Sequence, residues 1–239
     1  MRNNVQHFIW SSILLVFVLA SAGCAKTNSS SNVTGAVCYI SLMNMAPYSS
    51  AVDISFNGTI VTESGGIKAG VYSTTYGSAK PGSYTVDFKV AGTDSLLYEI
   101  PAMMYDTNAF YTLILYNTAP KSPAVAAARI TDDYSSVTQT NYAYYRFFNL
   151  SPDEANVDLY LGGTVEQTNR TPMDMLSNQT FDGFQPINPG TYNISVYNAN
   201  TDTVLSSLNP DQLTPGTVYT VFLAGPSSNL TITSLAATY

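Results

Sequence analysis

Histidine is nearly absent: the chain has one, His7, and none after it. Beyond residue 7 there is no imidazole to serve as the base of a Ser-His-Asp or Cys-His nucleophile, and none to ligate zinc or iron. Cysteine occurs only at Cys24 and Cys38. The second lies in the apolar stretch 36–43 (AVCYISLM), which offers neither a base nor a cation to generate a thiolate. It reads as a small buried side chain. Charge is scarce too, at 10% of residues, with 9 Lys and Arg against 16 Asp and Glu. A negative balance disfavours nucleic acid and anionic lipid surfaces as partners. After the N-terminus no segment keeps a helical period. Gly65-Gly66 and Gly162-Gly163 lack the spacing and following helix of a phosphate loop, and no EF-hand spacing occurs. These absences point away from enzymes, metal sites and cofactors.

The N-terminus is apolar. Arg2 precedes Phe8 to Ala20 (FIWSSILLVFVLA), and small residues Ser21-Ala22-Gly23 lead into Cys24. A basic residue, a short apolar core and a small-residue ending make a signal peptide rather than a membrane span of about 20 residues. The ending resembles a bacterial lipobox, with Ser21 where that pattern usually has Leu. The resemblance implies cleavage before Cys24 and a lipid on its sulfur. Residues 1–23 are then the signal, and 239 − 23 = 216 remain. Loss of Arg2 makes the remaining net charge 8 − 16 = −8. Residues 24–35 are polar and aperiodic, a tether between lipid and fold. Ala25 follows the cysteine where an aspartate would signal retention at the inner membrane, so the expected address is the outer membrane.

Beyond residue 35 the sequence repeats itself once. Asn44-Met45-Ala46-Pro47 with Val52-Asp53-Ile54 recurs as Asn149-Leu150-Ser151-Pro152 with Val157-Asp158-Leu159, offset 149 − 44 = 105. Pro81-Gly82-Ser83-Tyr84 recurs as Pro189-Gly190-Thr191-Tyr192, and Tyr111-Thr112-Leu113 as Tyr219-Thr220-Val221, both offset 108. A period of that length is a duplicated domain. Within each copy the period is two: Tyr84, Val86, Phe88 and Val90 alternate with Thr85, Asp87 and Lys89. Copy one reads as seven strands near 36–43, 51–56, 70–75, 83–90, 95–100, 109–117 and 124–131. The expected fold is all-β: two tandem immunoglobulin-like β-sandwiches at 36–133 and 141–239, joined by a linker at 134–140. Leu213 to Tyr219 (LTPGTVY) predicts a tyrosine corner.

The chain resembles a bacterial family of tandem lipoprotein domains, domain-of-unknown-function family 4397. The likeness is carried by Ile130-Thr131-Asp132-Asp133, Tyr145-Arg146-Phe147-Phe148-Asn149-Leu150-Ser151-Pro152, Val157-Asp158-Leu159-Tyr160, Pro189-Gly190-Thr191-Tyr192 and Tyr219-Thr220-Val221. It implies exported, adhesion-like β-sandwich domains of Gram-negative envelopes and brings no catalytic residues with it.

Candidate sites are few. Asp53 and Asp158, at matching places, read as carboxylates accepting backbone N–H bonds. Asp132-Asp133 and Asp153-Glu154 sit at opposite ends of a strand, about 26 Å apart at 3.3 Å per residue, too far to share calcium. An up-down trace of seven strands gathers the loops 151–155, 185–190 and 209–217 at the membrane-distal tip of the second domain. Asp153, Glu154 and Asp211 are its candidate ligand-binding acids. Tyr142, Tyr144 and Arg146 share a strand face expected at the domain junction. Asp94-Ser95-Leu96 and Asp202-Thr203-Val204 resemble O-glycosylation acceptors, at Ser95 and Thr203. The function expected is a lipid-anchored, non-catalytic binding or adhesion module for a glycan or protein ligand. The alternative is a structural subunit of an envelope assembly or export complex.

Overall fold

The computed structural model describes residues 35–237; Cys24, the signal segment and residues 24–34 of the tether lie outside the described residues. The chain is all-β and forms two β-sandwiches. In the first, β1 (Cys38–Met45), β2 (Val52–Phe56), β3 (Thr59–Ile60), β4 (Val71–Tyr72), β5 (Gly77–Ala79), β6 (Gly82–Val90), β7 (Leu96–Tyr105), β8 (Phe110–Asn117) and β9 (Val125–Thr131) build two sheets. One runs β4-β1-β8-β9, with β5 also on β1, and the other β3-β2-β6-β7. The second sandwich repeats this with β10 (Ala143–Asn149), β11 (Val157–Leu161), β12 (Thr164–Arg170), β13 (Gln185–Ile187), β14 (Gly190–Asn198), β15 (Thr203–Leu213), β16 (Val218–Ala224) and β17 (Thr231–Ala237). Its sheets run β13-β10-β16-β17 and β12-β11-β14-β15. Pairing is antiparallel except β1 with β8 and β10 with β16, which are parallel. The architecture is immunoglobulin-like; the strand order is its own.

Alternation explains the inner faces. Val86 and Phe88 of β6 are fully buried, with half-buried Thr85 and Lys89 not among the core residues. Each sandwich closes over its own core: Val52, Ile54, Phe88, Leu113 and Leu115 in the first, Phe147, Val157, Leu159, Val196 and Val221 in the second. A third apolar layer joins them. Met43, Met45, Ile114 and Ile130 from the first pack against Phe148, Leu150, Phe222 and Ala224 from the second. The outer faces of the β1/β8 and β10/β16 sheets therefore lie against each other, and all seven residues of β10 are buried. A strand covered on both faces loses its alternation, which is why five of the seven residues from Tyr142 to Phe148 are aromatic with no period of two. Both sandwiches belong to one compact unit.

Both ends of this seam are pinned by polar contacts. At one end Tyr48 reaches Asp153. At the other, Arg146 of β10 donates to Asp132 at 2.6 Å, and Asp132 also accepts from Thr112 at 2.6 Å and Tyr76 at 2.8 Å. Tyr134 stacks on Phe184 with centroids 5.2 Å apart, and Val137 packs beside Tyr144 and Val218. Tyr134 and Val137 thus anchor the otherwise exposed segment 134–140 at the junction, the place the sequence predicts for Tyr142, Tyr144 and Arg146.

Each sandwich has eight strand places rather than seven, β4 and β5 together taking the one that β13 takes. The additional strand is β3 in the first copy and β12 in the second. β12 (TVEQTNR) is an edge strand exposed at most positions, so it has no apolar alternation to announce it. Missing one strand reverses the direction assigned to every later one. The three loops expected at one tip therefore divide. Residues 185–190 and 209–217 lie at the start of β10, where Tyr144 pairs with Pro186 and donates to the Thr217 carbonyl at 2.9 Å. Residues 151–155 lie at the other end of β10. Asp153 and Glu154 do not meet Asp211 at a common tip; Asp211 sits in β15 opposite Tyr192.

Candidate functional site

The repeated motifs turn out to be structural. Asn44 and Asn149 are fully buried. Asn44 donates to the Ile67 carbonyl at 2.9 Å and accepts from the Ala46 N–H. Asn149 donates to the Glu154 carbonyl at 2.8 Å and accepts from the Ser151 N–H. Each replaces backbone pairing where its strand ends. In the Pro-Gly-x-Tyr pair, Tyr84 donates to the Lys80 carbonyl at 2.8 Å and Tyr192 to the Asn188 carbonyl at 2.7 Å. Each ring covers the glycine between; a Cβ on Gly190 would sit 3.5 Å from the Tyr192 ring. Tyr219 takes the Thr214 N–H at 3.0 Å, and Tyr111 takes the Asp106 N–H at 2.9 Å, so both copies carry the corner.

The singled-out carboxylates hold the backbone. Asp53 accepts from the Gly92 N–H at 2.8 Å and Asp158 from the Asn169 N–H at 2.7 Å. Asp153 accepts from Tyr48, Lys121 and Ser227, so it is engaged between the two repeats rather than free at a tip. Burial raises the Glu154 carboxyl above its ordinary range, with the Asp153 charge adding to it. Ser95 and Thr203 are exposed beside matching hairpin turns. Cys38 is buried with its thiol directed at the Ala79 and Lys80 carbonyls, and burial raises its pKa. Among the described residues no group of three or more His, Cys, Asp or Glu could hold a metal ion.

The cleft that stands out lies elsewhere. In the first sandwich the edge strands β3 and β5, on opposite sheets, leave a gap of about 410 Å³ lined by Ile40, Leu42, Phe56, Val61, Ser78 and Tyr84, among others. Its floor is aromatic: Phe56 and Tyr84 meet edge to face at 5.5 Å, and Tyr105 abuts both. Val61, 50% exposed, stands at its rim beside Thr59 and Ser78.

The second sandwich closes the same place with its own side chains. Tyr145 stands where the first repeat has Ile40, and is only 2% exposed. Its hydroxyl lies 3.4 Å from both Glu166 and Gln185, bridging β10 to the β12 and β13 edges. Burial pushes this phenol up to about 12, with the Glu166 charge adding to the effect, so it stays protonated and donates. Arg170 fills the neighbouring space, ion-paired with Asp174 at 2.7 Å and lying over Phe181 at 3.9 Å. The first repeat has Val61 at the sequence place of Glu166 and Gly77 at that of Gln185, so neither polar bridge exists there. Reading one repeat at a time conceals this difference; aligning Ile40 with Tyr145 reveals it.

No curated protein matches the sequence. Among solved structures, the family CBM26 module CBMbc from Eubacterium rectale Amy13K, determined in complex with maltoheptaose, aligns at a TM-score of 0.25 and 11% identity. That alignment covers 82% of this chain and 96% of the module. A likeness at that level says nothing about what this chain binds. The family comparison is decisive: one profile matches residues 38–160 and again 143–238, the two matches overlapping over 143–160. The chain belongs to the family described as Domain of unknown function (DUF4397).

Proposed function

We propose that this protein is a non-catalytic binding or adhesion module, held at the cell envelope by lipid on Cys24, whose ligand enters the cleft of the first sandwich. The observation that carries this reading is the difference between two copies of one fold. The second copy fills its cleft with Tyr145 and Arg170 and packs as a closed sandwich. The first leaves an apolar cavity of about 410 Å³ within the range of small-ligand sites. An unfilled apolar gap forfeits packing that its sister copy has recovered. A binding role accounts for keeping it open.

The test is a toluene titration of the full chain carrying Cys24→Ser, followed by methyl NMR. Toluene should shift the Ile40 and Leu42 methyls and leave Leu159 and Leu161 unmoved. Ile40→Tyr, which copies the second repeat, should abolish the shifts. Equal shifts in both repeats, or none in either, would overturn the assignment. The anchor has a separate test: Cys24→Ala should move the protein from the detergent phase to the aqueous phase, and unchanged partitioning would refute lipidation.

A further inference from the structure

Resting on that reading of the cleft, we infer that its occupant is an extended polypeptide segment of a partner protein. The segment adds to the free edge of β5 and seats an apolar aromatic side chain against Phe56 and Tyr84.

Two independent differences between the repeats converge on this edge. The first is in the backbone. β5 pairs with β1 on one side and with no described strand on the other. Its residues are Gly77, Ser78 and Ala79, all small, so a second backbone can approach. The matching strand β13 is Gln185-Pro186-Ile187. Pro186 stands at the place of Ser78 and has no N–H to offer an added strand, a known protection of sheet edges. The second repeat is thus guarded at this edge and the first is not.

The second difference is in the side chains. Tyr145 shows that this fold accepts an aromatic ring at the Ile40 place, since the second sandwich packs around one. In the first sandwich the ring is missing, but its neighbours remain: Phe56 and Tyr84 already meet edge to face and present the geometry that a third ring completes. Because Val61 and Gly77 replace the Glu166 and Gln185 partners of the Tyr145 hydroxyl, the guest ring needs no hydroxyl and loses by burying one. Phenylalanine fits this rim better than tyrosine. Strand addition with alternate side chains in pockets is an established mode of peptide recognition, in which main-chain bonds supply affinity and the pocket supplies choice.

The experiment uses the full chain with Cys24→Ser and a capped, labelled pentapeptide, Thr-Val-Phe-Val-Thr, followed by fluorescence anisotropy. Saturable binding at one peptide per chain is expected. Ser78→Pro and Ile40→Tyr should each weaken it at least tenfold. Ser78→Pro installs what the second repeat already tolerates, so its unfolding midpoint measured alongside should not fall, and it carries the test if Ile40→Tyr, whose hydroxyl lacks the Glu166 and Gln185 partners, is less stable. The peptide with Phe replaced by Tyr or Ala should bind more weakly, as should the peptide N-methylated on alternate amides. Equal binding of the N-methylated peptide would overturn strand addition, and equal binding of the Ala peptide would overturn the aromatic seat. If toluene shifts the Ile40 methyl while no peptide binds, the polypeptide inference fails and the cleft reading survives. If neither binds, both fail.

Discussion

Tyr48 donates its hydroxyl to Asp153 at 2.5 Å, and the two residues stand 105 positions apart, at the same place in successive repeats. The same carboxylate also takes the N–H groups of Lys121 and Ser227 at 3.1 and 3.0 Å. One aspartate therefore ties two loops of the first sandwich to a loop of its own. Burial alone would raise its pKa; the hydrogen bonds from Tyr48, Ser227 and Lys121 outweigh that and hold it below the usual carboxylate range. Asp153→Ala should cost about 1 kcal/mol, the lower end for a lost hydrogen-bond acceptor because water can reach the donors. Urea denaturation measures this. A lowered folded-state pKa gives stability that is present above the unfolded value, about 3.9, and lost as pH falls through the folded one. The cost of the substitution should therefore shrink as the pH is taken to 3 and below.

Glu154 has the opposite sign. Its carboxyl is raised by burial and by the Asp153 charge. Its contribution is therefore fully present below the unfolded value, about 4.3, and is lost as pH rises through the folded one. Glu154→Gln should raise the thermal midpoint at pH 7 and leave it unchanged near pH 3.5. A variant less stable than the wild type at pH 7 would show that the ionised carboxylate is favourable where it stands.

Arg146 and Asp132 form the other pin of the seam, with side chains 3% and 0% exposed. Arg146 also donates to Thr220 at 2.9 Å and lies 4.6 Å over Phe148. Removing either partner leaves a buried charge unpaired, so Asp132→Ala or Arg146→Met alone should cost about 3–5 kcal/mol. The double substitution should cost clearly less than the sum of the two, because it leaves no unpaired charge. Additive losses would mean that the two groups are not coupled.

Much of the fold is legible in the sequence because it rests on local signals. Alternation in 83–90 and 190–198 and the recurring Pro-Gly-x-Tyr mark strands and turns that form as expected. The parts that are not legible are those set by what lies across a gap. β12 has no apolar face, so its pattern does not separate it from a loop, and a trace that omits it wrongly brings Asp153 and Glu154 beside Asp211. The seam is hidden for a related reason. Met43, Met45, Phe148 and Phe222 are buried by the sister repeat, and a strand read alone does not say what covers its second face. The cleft is defined by side chains absent from Ile40, Val61 and Gly77, and absence shows only when the copies are compared.

The central claim is that the first sandwich has an open edge able to take a ligand where the second is sealed. The most direct measurement is site-specific photocrosslinking in living cells, with a photoreactive residue at Val61 or at its repeat counterpart Glu166. A defined adduct should form from Val61, disappear with Ile40→Tyr, and be missing from Glu166. Identical adducts from both positions, or a Val61 adduct indifferent to Ile40→Tyr, would contradict it.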